Sequence, residues 1–238
     1  LESISIQEKL QSIDPGNYIQ SLSNLARLYA SNNNYEKAEI FFLKILGVRE
    51  KLFGKNHIDY AKGLINLGTL YHAMGDCKKA EPYFLEGIAI QAKVLGKEHL
   101  TYAGSITALA AVYVYLGNYK KAESLFLEGI RIMKNVSGKQ DLSSIANSLI
   151  NLANLYMNID SFDKAEPLAL EAKELTEKVQ GKESPEYANI LNALANIYLS
   201  TDKFEKAEQA LIESIEILDK AIANKKYFYS GNASIHSL

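Results

Sequence analysis

An all-α chain built as a stack of antiparallel helix pairs is the fold class this sequence predicts. Three observations carry the prediction: one motif returns at a fixed step, each step holds two helix-periodic segments, and turn-forming residues mark both joints. Lys-Ala-Glu stands at 37–39, 79–81, 121–123, 164–166 and 206–208, at steps of 42, 42, 43 and 42 residues. Tyr29, Tyr71, Tyr113, Tyr156 and Tyr198 keep the same step, as do Ala26, Gly68, Ala110, Ala153 and Ala195. Gly54, Gly96, Gly138 and Gly181 form a third register. A period of this length marks a supersecondary unit that buries its apolar face only by stacking on its neighbours. The single extra residue falls in the loop between Gly138 and Ile145, where an insertion does little harm.

Each unit reads as a helix A followed by a helix B. In the second unit, A runs from about Tyr60 to Met74 and B from Cys77 to Leu95. Helix A ends at Asn33, Gly75, Gly117, Asp160 and Asp202 in turn, residue types that tolerate a left-handed backbone. Helix B stops at the interunit glycine. The alanine of Lys-Ala-Glu is expected where B crosses A. An aromatic three residues earlier (Tyr35, Tyr119, Phe162, Phe204) is expected to wedge into the A–B seam, with Cys77 as the exception. Seven residues after the alanine, Gly87, Gly129, Ala172 and Ser214 are small and expected to admit the next unit; Ile45 breaks that rule.

Composition bounds the function. The chain has 238 residues, 47% of them hydrophobic, enough for a substantial core. Its net charge of −2 gives no electrostatic case for nucleic acid or an anionic membrane. No apolar run approaches membrane-spanning length and no signal peptide opens the chain. A single cysteine fits a reducing compartment, which points to a cytoplasmic protein. The chain opens on Leu1, and "IQEKLQSIDPGNY" (6–18) aligns with "VREKLFGKNHIDY" (48–60), as a B helix lacking its A helix. The expectation is a piece of something longer, with helix B5 running on through "DKAIANKKYFY" and the following aromatics covering the last helix pair.

The pattern N-L-A-x-L-Y … K-A-E … L-G-K-x-H-x-x-Y-A, seen most fully in "INLGTLYHAMGDCKKAEPYFLEGIAIQAKVLGKEHLTYA" (65–103), resembles the tetratricopeptide repeat. More narrowly, it is similar to the 42-residue variety of kinesin light chains and many bacterial proteins. The resemblance covers residues 1 to about 220 and implies a right-handed superhelix. The expected division is 1–17 as the remnant of a preceding repeat, then repeats at 18–59, 60–101, 102–144, 145–186 and 187–226, then a tail at 227–238.

Candidate sites for chemistry read as structure. Gly-Lys at 54–55, 96–97, 138–139 and 181–182 lacks the rest of a phosphate loop and is expected to cap helix B. His57 and His99 share one loop position and are expected to cap the following helix rather than to hold a metal. Cys77 is expected to be buried and inert. Glu39 and Glu81 repeat with the fold, so they read as a solvated face or a local helix pair rather than an acid–base couple. No catalytic constellation and no cofactor site is expected.

In tetratricopeptide arrays the A helices line the inner, concave surface. The resemblance therefore implies a groove of Asn24 and Arg27; Lys62, Asn66 and Thr69; Ala108, Ala111 and Tyr115; Asn147, Asn151 and Asn154; and Asn189, Asn192 and Asn196. Asn158 extends the fourth row, and four asparagines on one face are poor helix formers with an amide to offer a ligand. Families resembling this one use the asparagine of N-L-A to hold an extended peptide by its backbone. The match transfers to Asn24, Asn66 and Asn151 and fails at Ala108 and Ala193. Gly104, Ala108 and Ala111, bordered by Tyr115, suit either a seat for a bulky apolar side chain or a tighter inner curve; Arg27 and Lys62 favour an acidic flank on the partner. The expected function is a non-enzymatic module that binds a protein or an extended peptide, with self-association through exposed array ends. The alternative is a regulatory arm of a larger enzyme, such as a CHAT-type protease or a nucleotide-binding switch protein.

Overall fold

Two residues settle each hairpin turn, one for the end of helix A and one for the start of helix B. Asn33, Gly75, Gly117, Asp160 and Asp202 have φ of 57°, 78°, 72°, 56° and 55°, the left-handed conformation expected of them. The residue after each closes the helix behind it. Its N–H donates to the carbonyl of the register tyrosine: Asn34 to Tyr29, Asp76 to Tyr71, Asn118 to Tyr113, Ser161 to Tyr156 and Lys203 to Tyr198, all at 2.8–2.9 Å. In three turns the same residue also caps the next helix. The side chains of Asn34, Asp76 and Asn118 accept from the backbone N–H of Lys37, Lys79 and Lys121.

The computed structural model describes residues 14–136 and 142–233, with side chains as far as residue 223. Among them are ten helices and no strand. They are α1 (Pro15–Ser31), α2 (Tyr35–Phe53), α3 (Ile58–Ala73), α4 (Cys77–Val94), α5 (Leu100–Tyr115), α6 (Tyr119–Val136), α7 (Leu142–Asn158), α8 (Phe162–Gln180), α9 (Pro185–Ser200) and α10 (Phe204–Ala233). The expected last helix runs on through the tyrosine-rich stretch. The preceding-repeat remnant, save its last residues, the loop glycine Gly138 and the side chains of the proposed aromatic cover lie outside the described residues.

The chain forms two compact units, Leu1–Ala122 and Glu123–Leu238. In the first, α1 pairs with α2 and α3 with α4; α2 packs on α3 and α4 on α5. In the second, α7 pairs with α8 and α9 with α10, and α8 packs on α9. Helix A also touches the next helix A: α3 meets α5, and α7 meets α9.

Small residues mark the close approaches. Ala38, Ala80, Ala122, Ala165 and Ala207 are buried, as the motif requires. A Cβ on Gly68 would stand 2.7 Å from the Phe84 ring. A Cβ on Gly87 would stand 2.9 Å from Ile65 Cδ1 and 3.2 Å from the Ala61 carbonyl. This corrects one expectation. Gly87 admits helix A of its own hairpin, not the next unit, and Ser214 likewise bonds the Ala188 carbonyl of its own hairpin at 3.1 Å. Buried Ile45 has a reason too: its register opposes Ser23 where the second hairpin has Ile65, so the bulk has moved from helix A to helix B.

Phe126 is fully buried and Cys77 is buried, its thiol pushed up by desolvation and by Asp76. The aromatic seam holds only in part. Tyr35, Tyr119 and Phe162 are half-buried, but Phe204 is 58% exposed. Gly54, Gly96 and Gly181 have φ of 78°, 86° and 83°, and Gly54 and Gly181 close their helices through N–H bonds to Glu50 and Glu177. His57 and His99 cap α3 and α5, each Nδ1 accepting from the N–H two residues on, at 3.2 and 3.0 Å.

The repeated carboxylates are not a solvated face. Tyr71 donates its hydroxyl to Glu39 at 2.5 Å, Tyr113 to Glu81 at 2.9 Å and Tyr156 to Glu123 at 2.7 Å. Each bond ties a helix A to the helix B before it. In the next interval Lys203 takes the tyrosine's place, with Nζ 2.6 Å from Glu166. The lysine of the motif lies over the tyrosine ring of its own hairpin: Lys37 over Tyr29, Lys79 over Tyr71, Lys121 over Tyr113, Lys164 over Tyr156 and Lys206 over Tyr198, at 4.8–5.5 Å. In its first three copies Lys-Ala-Glu is thus one device: lysine covers the tyrosine, alanine lets the helices touch, and glutamate holds the next tyrosine.

Candidate functional site

Burial of one face of helix A decides what its other face offers. On α3, Leu64, Leu67 and Tyr71 point into the core, which leaves Lys62, Asn66 and Thr69 outward at the complementary spacing. The same separation holds in every A helix.

In the first unit, Asn24 and Arg27 on α1 are exposed, as are Lys62 and Thr69 on α3, while Asn66 is half-buried. On α5, Ala108 and Ala111 are half-buried and Tyr115 is 72% exposed. In the second unit, Asn147, Asn151, Asn154 and Asn158 are all exposed on α7; Asn189 and Asn196 are exposed on α9 and Asn192 is half-buried.

Several of these groups are already engaged. Asn24 accepts a bond from Gln20 at 3.0 Å. Lys62 is paired with Asp59 at 3.2 Å, so the basic character expected of this face rests mainly on Arg27. Thr69 gives its hydroxyl proton to the Ile65 carbonyl, which leaves only its lone pairs for a ligand. Tyr115 meets the edge of His72, ring centres 5.8 Å apart, and burial lowers the His72 pKa. Arg27, Asn66 and the α7 asparagines make no bond among the described residues.

Three predicted residues share one cavity. Arg27, Asn66 and Thr69, with Ala73 and Ser23, ring a space of ≈ 380 Å³ between α1, α2 and α3, floored by Ala30, Tyr35, Phe42 and Leu70. Asn24 and Lys62 are not among its walls. Arg27 is the cation at its rim. The floor was missed by reading the face from A helices alone, since Tyr35 and Phe42 belong to α2. The signal was present in Ser23 and Ala30, small residues that open the space above Phe42. Among the described residues no group of three or more His, Cys, Asp or Glu side chains is arranged to hold a metal ion.

A family model described as Tetratricopeptide repeat matches residues 17–93, 79–135 and 144–220. No curated protein matches the chain. Among solved structures, the tetratricopeptide-like repeats of a putative kinesin light chain from Podosopora anserina superpose with a TM-score of 0.71 at 23% identity, covering 86% of this chain and 96% of that one. BtubC (BKLC) from P. vanneervenii gives 0.77 at 22% identity, covering 94% and 89%. The apo form of RapI gives 0.71 at 16% identity, covering 88% and 73%. At these identities the likeness is one of fold.

Proposed function

Because this chain belongs to the tetratricopeptide-repeat family, a family of protein-interaction modules, we propose that it binds an extended segment of a partner protein on the outward faces of its A helices. The repeats are taken as 18–59, 60–101, 102–144, 145–186 and 187–226. The observation that carries the reading is the cavity of ≈ 380 Å³, where a free guanidinium, a free amide and an apolar floor converge. An apolar side chain enters over Phe42 and Leu70. Arg27 meets a carboxylate beside it, a charge-assisted bond of the stronger kind. The Asn66 amide, with donors and an acceptor, holds the backbone of the segment. In the second unit, Asn147, Asn151 and Asn154 offer the same backbone-directed bonds without an apolar pocket. Binding rather than catalysis is the role, in a cytoplasmic setting suited to the buried, reduced Cys77.

Peptide display against the full chain tests this. Enriched peptides are expected to combine a bulky apolar residue with a nearby acidic one. Their binding is expected to fall at least about tenfold with Arg27→Glu, and with Ala30→Trp, which fills the cavity. Enriched peptides indifferent to both substitutions contradict the proposal.

A further inference from the structure

One repeat beyond the cavity, four positions change chemistry together. Ala30, Asn66, Thr69 and Ala73, which line it, are answered 42 residues on by His72, Ala108, Ala111 and Tyr115. Two alanines that open space have given way to two rings, and two hydrogen-bonding side chains to two methyl groups. The rings meet with centres 5.8 Å apart and planes at 89°, a contact that ties Tyr115 on α5 to His72 on α3. Tyr115 is nevertheless 72% exposed, the most open of the large apolar side chains among the described residues. An aromatic ring that is held in place and still faces solvent is a surface on which a ligand can stack.

The surroundings say what kind of residue belongs there. α5 has no Asp, Glu, Lys or Arg, and burial lowers the His72 pKa, which keeps the imidazole neutral at pH 7. A charged residue therefore gains no ion pair from this helix. Acceptors for a backbone N–H are missing as well. Beside the cavity the Asn66 amide and the Thr69 lone pairs can take one, but Gly104, Ala108 and Ala111, outward on α5, have no side-chain acceptor. Proline fits both conditions, since it is uncharged and has no N–H to satisfy. Extended segments that carry proline also meet aromatic-lined grooves in general. The spacing follows from the helices. α3 packs on α5, and packed helix axes lie roughly 8–10 Å apart. An extended chain crosses that distance in about three residues.

We propose that the partner segment anchored in the cavity carries a proline about three residues from its apolar anchor, stacked on Tyr115. This rests on the cavity reading above and supplies the second half of its recognition pattern.

The test is fluorescence anisotropy on the full chain, with a display-selected peptide and a copy in which its proline is alanine. Selected peptides are expected to carry proline roughly two to four residues from the bulky apolar residue. The alanine copy is expected to bind wild type about fivefold more weakly, but Tyr115→Ala less than about twofold more weakly. Tyr115→Phe is expected to match wild type. Tyr115→Ala is expected to keep its helicity, because the ring is exposed. If the selected peptides lack proline at that spacing, or if the alanine copy loses as much on Tyr115→Ala as on wild type, the inference is overturned. A loss of binding with Arg27→Glu in that case leaves the cavity reading standing. Binding indifferent to Arg27→Glu overturns the cavity reading and this inference with it.

Discussion

Tyr71 donates its hydroxyl to Glu39 at 2.5 Å, a bond that reaches from one hairpin to the one before it. Tyr113 and Glu81 repeat it. Buried tyrosine thus supplies both the apolar ring under its own lysine and the polar contact between hairpins. Removing the hydroxyl is the clean way to weigh that contact.

Tyr113→Phe is expected to cost about 1–2 kcal/mol, because the acceptor is a half-buried carboxylate left with one bond fewer. Tyr29→Phe should cost under about 0.5 kcal/mol, since its hydroxyl has no partner among the described residues. Urea unfolding of the two variants compares them. Equal losses would show that the Glu81 bond adds nothing.

Alkali attacks the same contacts. Burial first, then the bond to the carboxylate, pushes Tyr113 and Tyr156 up to about 12 and raises Tyr71 as well. A hydroxyl whose pKa is higher folded than unfolded favours the fold while protonated. That stability is fully present below the ordinary tyrosine value near 10 and is lost as pH rises through the folded value. Denaturation midpoints are therefore expected to hold to about pH 10 and to fall between about 10 and 12. In the Tyr113→Phe variant the fall should be shallower. A slope unchanged by that substitution would contradict the assignment.

Glycine substitutions separate packing from helix propensity. Alanine in a helix interior gains up to about 1 kcal/mol over glycine. At Gly104, where a Cβ meets nothing within 4 Å, Gly104→Ala should raise stability by about 0.5–1 kcal/mol. At Gly68 the Cβ would strike the Phe84 ring at 2.7 Å, so Gly68→Ala should lose about 1–3 kcal/mol despite the better propensity. Phe126→Ala should cost about 3–5 kcal/mol, since the ring is fully buried. Thermal melts of the three variants, run together, check the order.

Two exposed asparagines test the outward face of α7. Asn151→Ala with Asn154→Ala should leave stability level or slightly higher, because alanine is the better helix former. If these amides hold a peptide backbone, affinity for a selected peptide should fall by about 0.5–1.5 kcal/mol per bond. Lys78→Ala on α4 is the outer control. Normal binding by the double mutant would remove α7 from the proposed surface.

The turns were legible because their cause is local. Asn33 and Gly75 are types that accept positive φ, and the next residue, Asn34 or Asp76, is a helix capper, so five residues of sequence hold the whole argument. The Glu39–Tyr71 bond was not legible in that way, because its halves lie on different hairpins and each reads as part of its own helix face. Gly87 shows a further limit. A small residue announces a close approach but not which helix approaches, and only the placement of Ile65 showed that it was its own hairpin's. The outward asparagines followed from helical periodicity, whereas the cavity beside Asn66 needed α2, whose Tyr35 had been assigned to the seam and whose Phe42 the reading of the A helices did not reach.

The most direct measurement is a nitrogen–proton correlation spectrum of the full chain, titrated with a peptide selected by display. The side-chain amide of Asn66 and the guanidinium of Arg27 are predicted to shift together and to saturate at one peptide concentration, with α2 and α4 outer-face signals, such as that of Leu85, unmoved. Shifts confined to those outer faces, with Asn66 and Arg27 unchanged at saturation, would contradict the account.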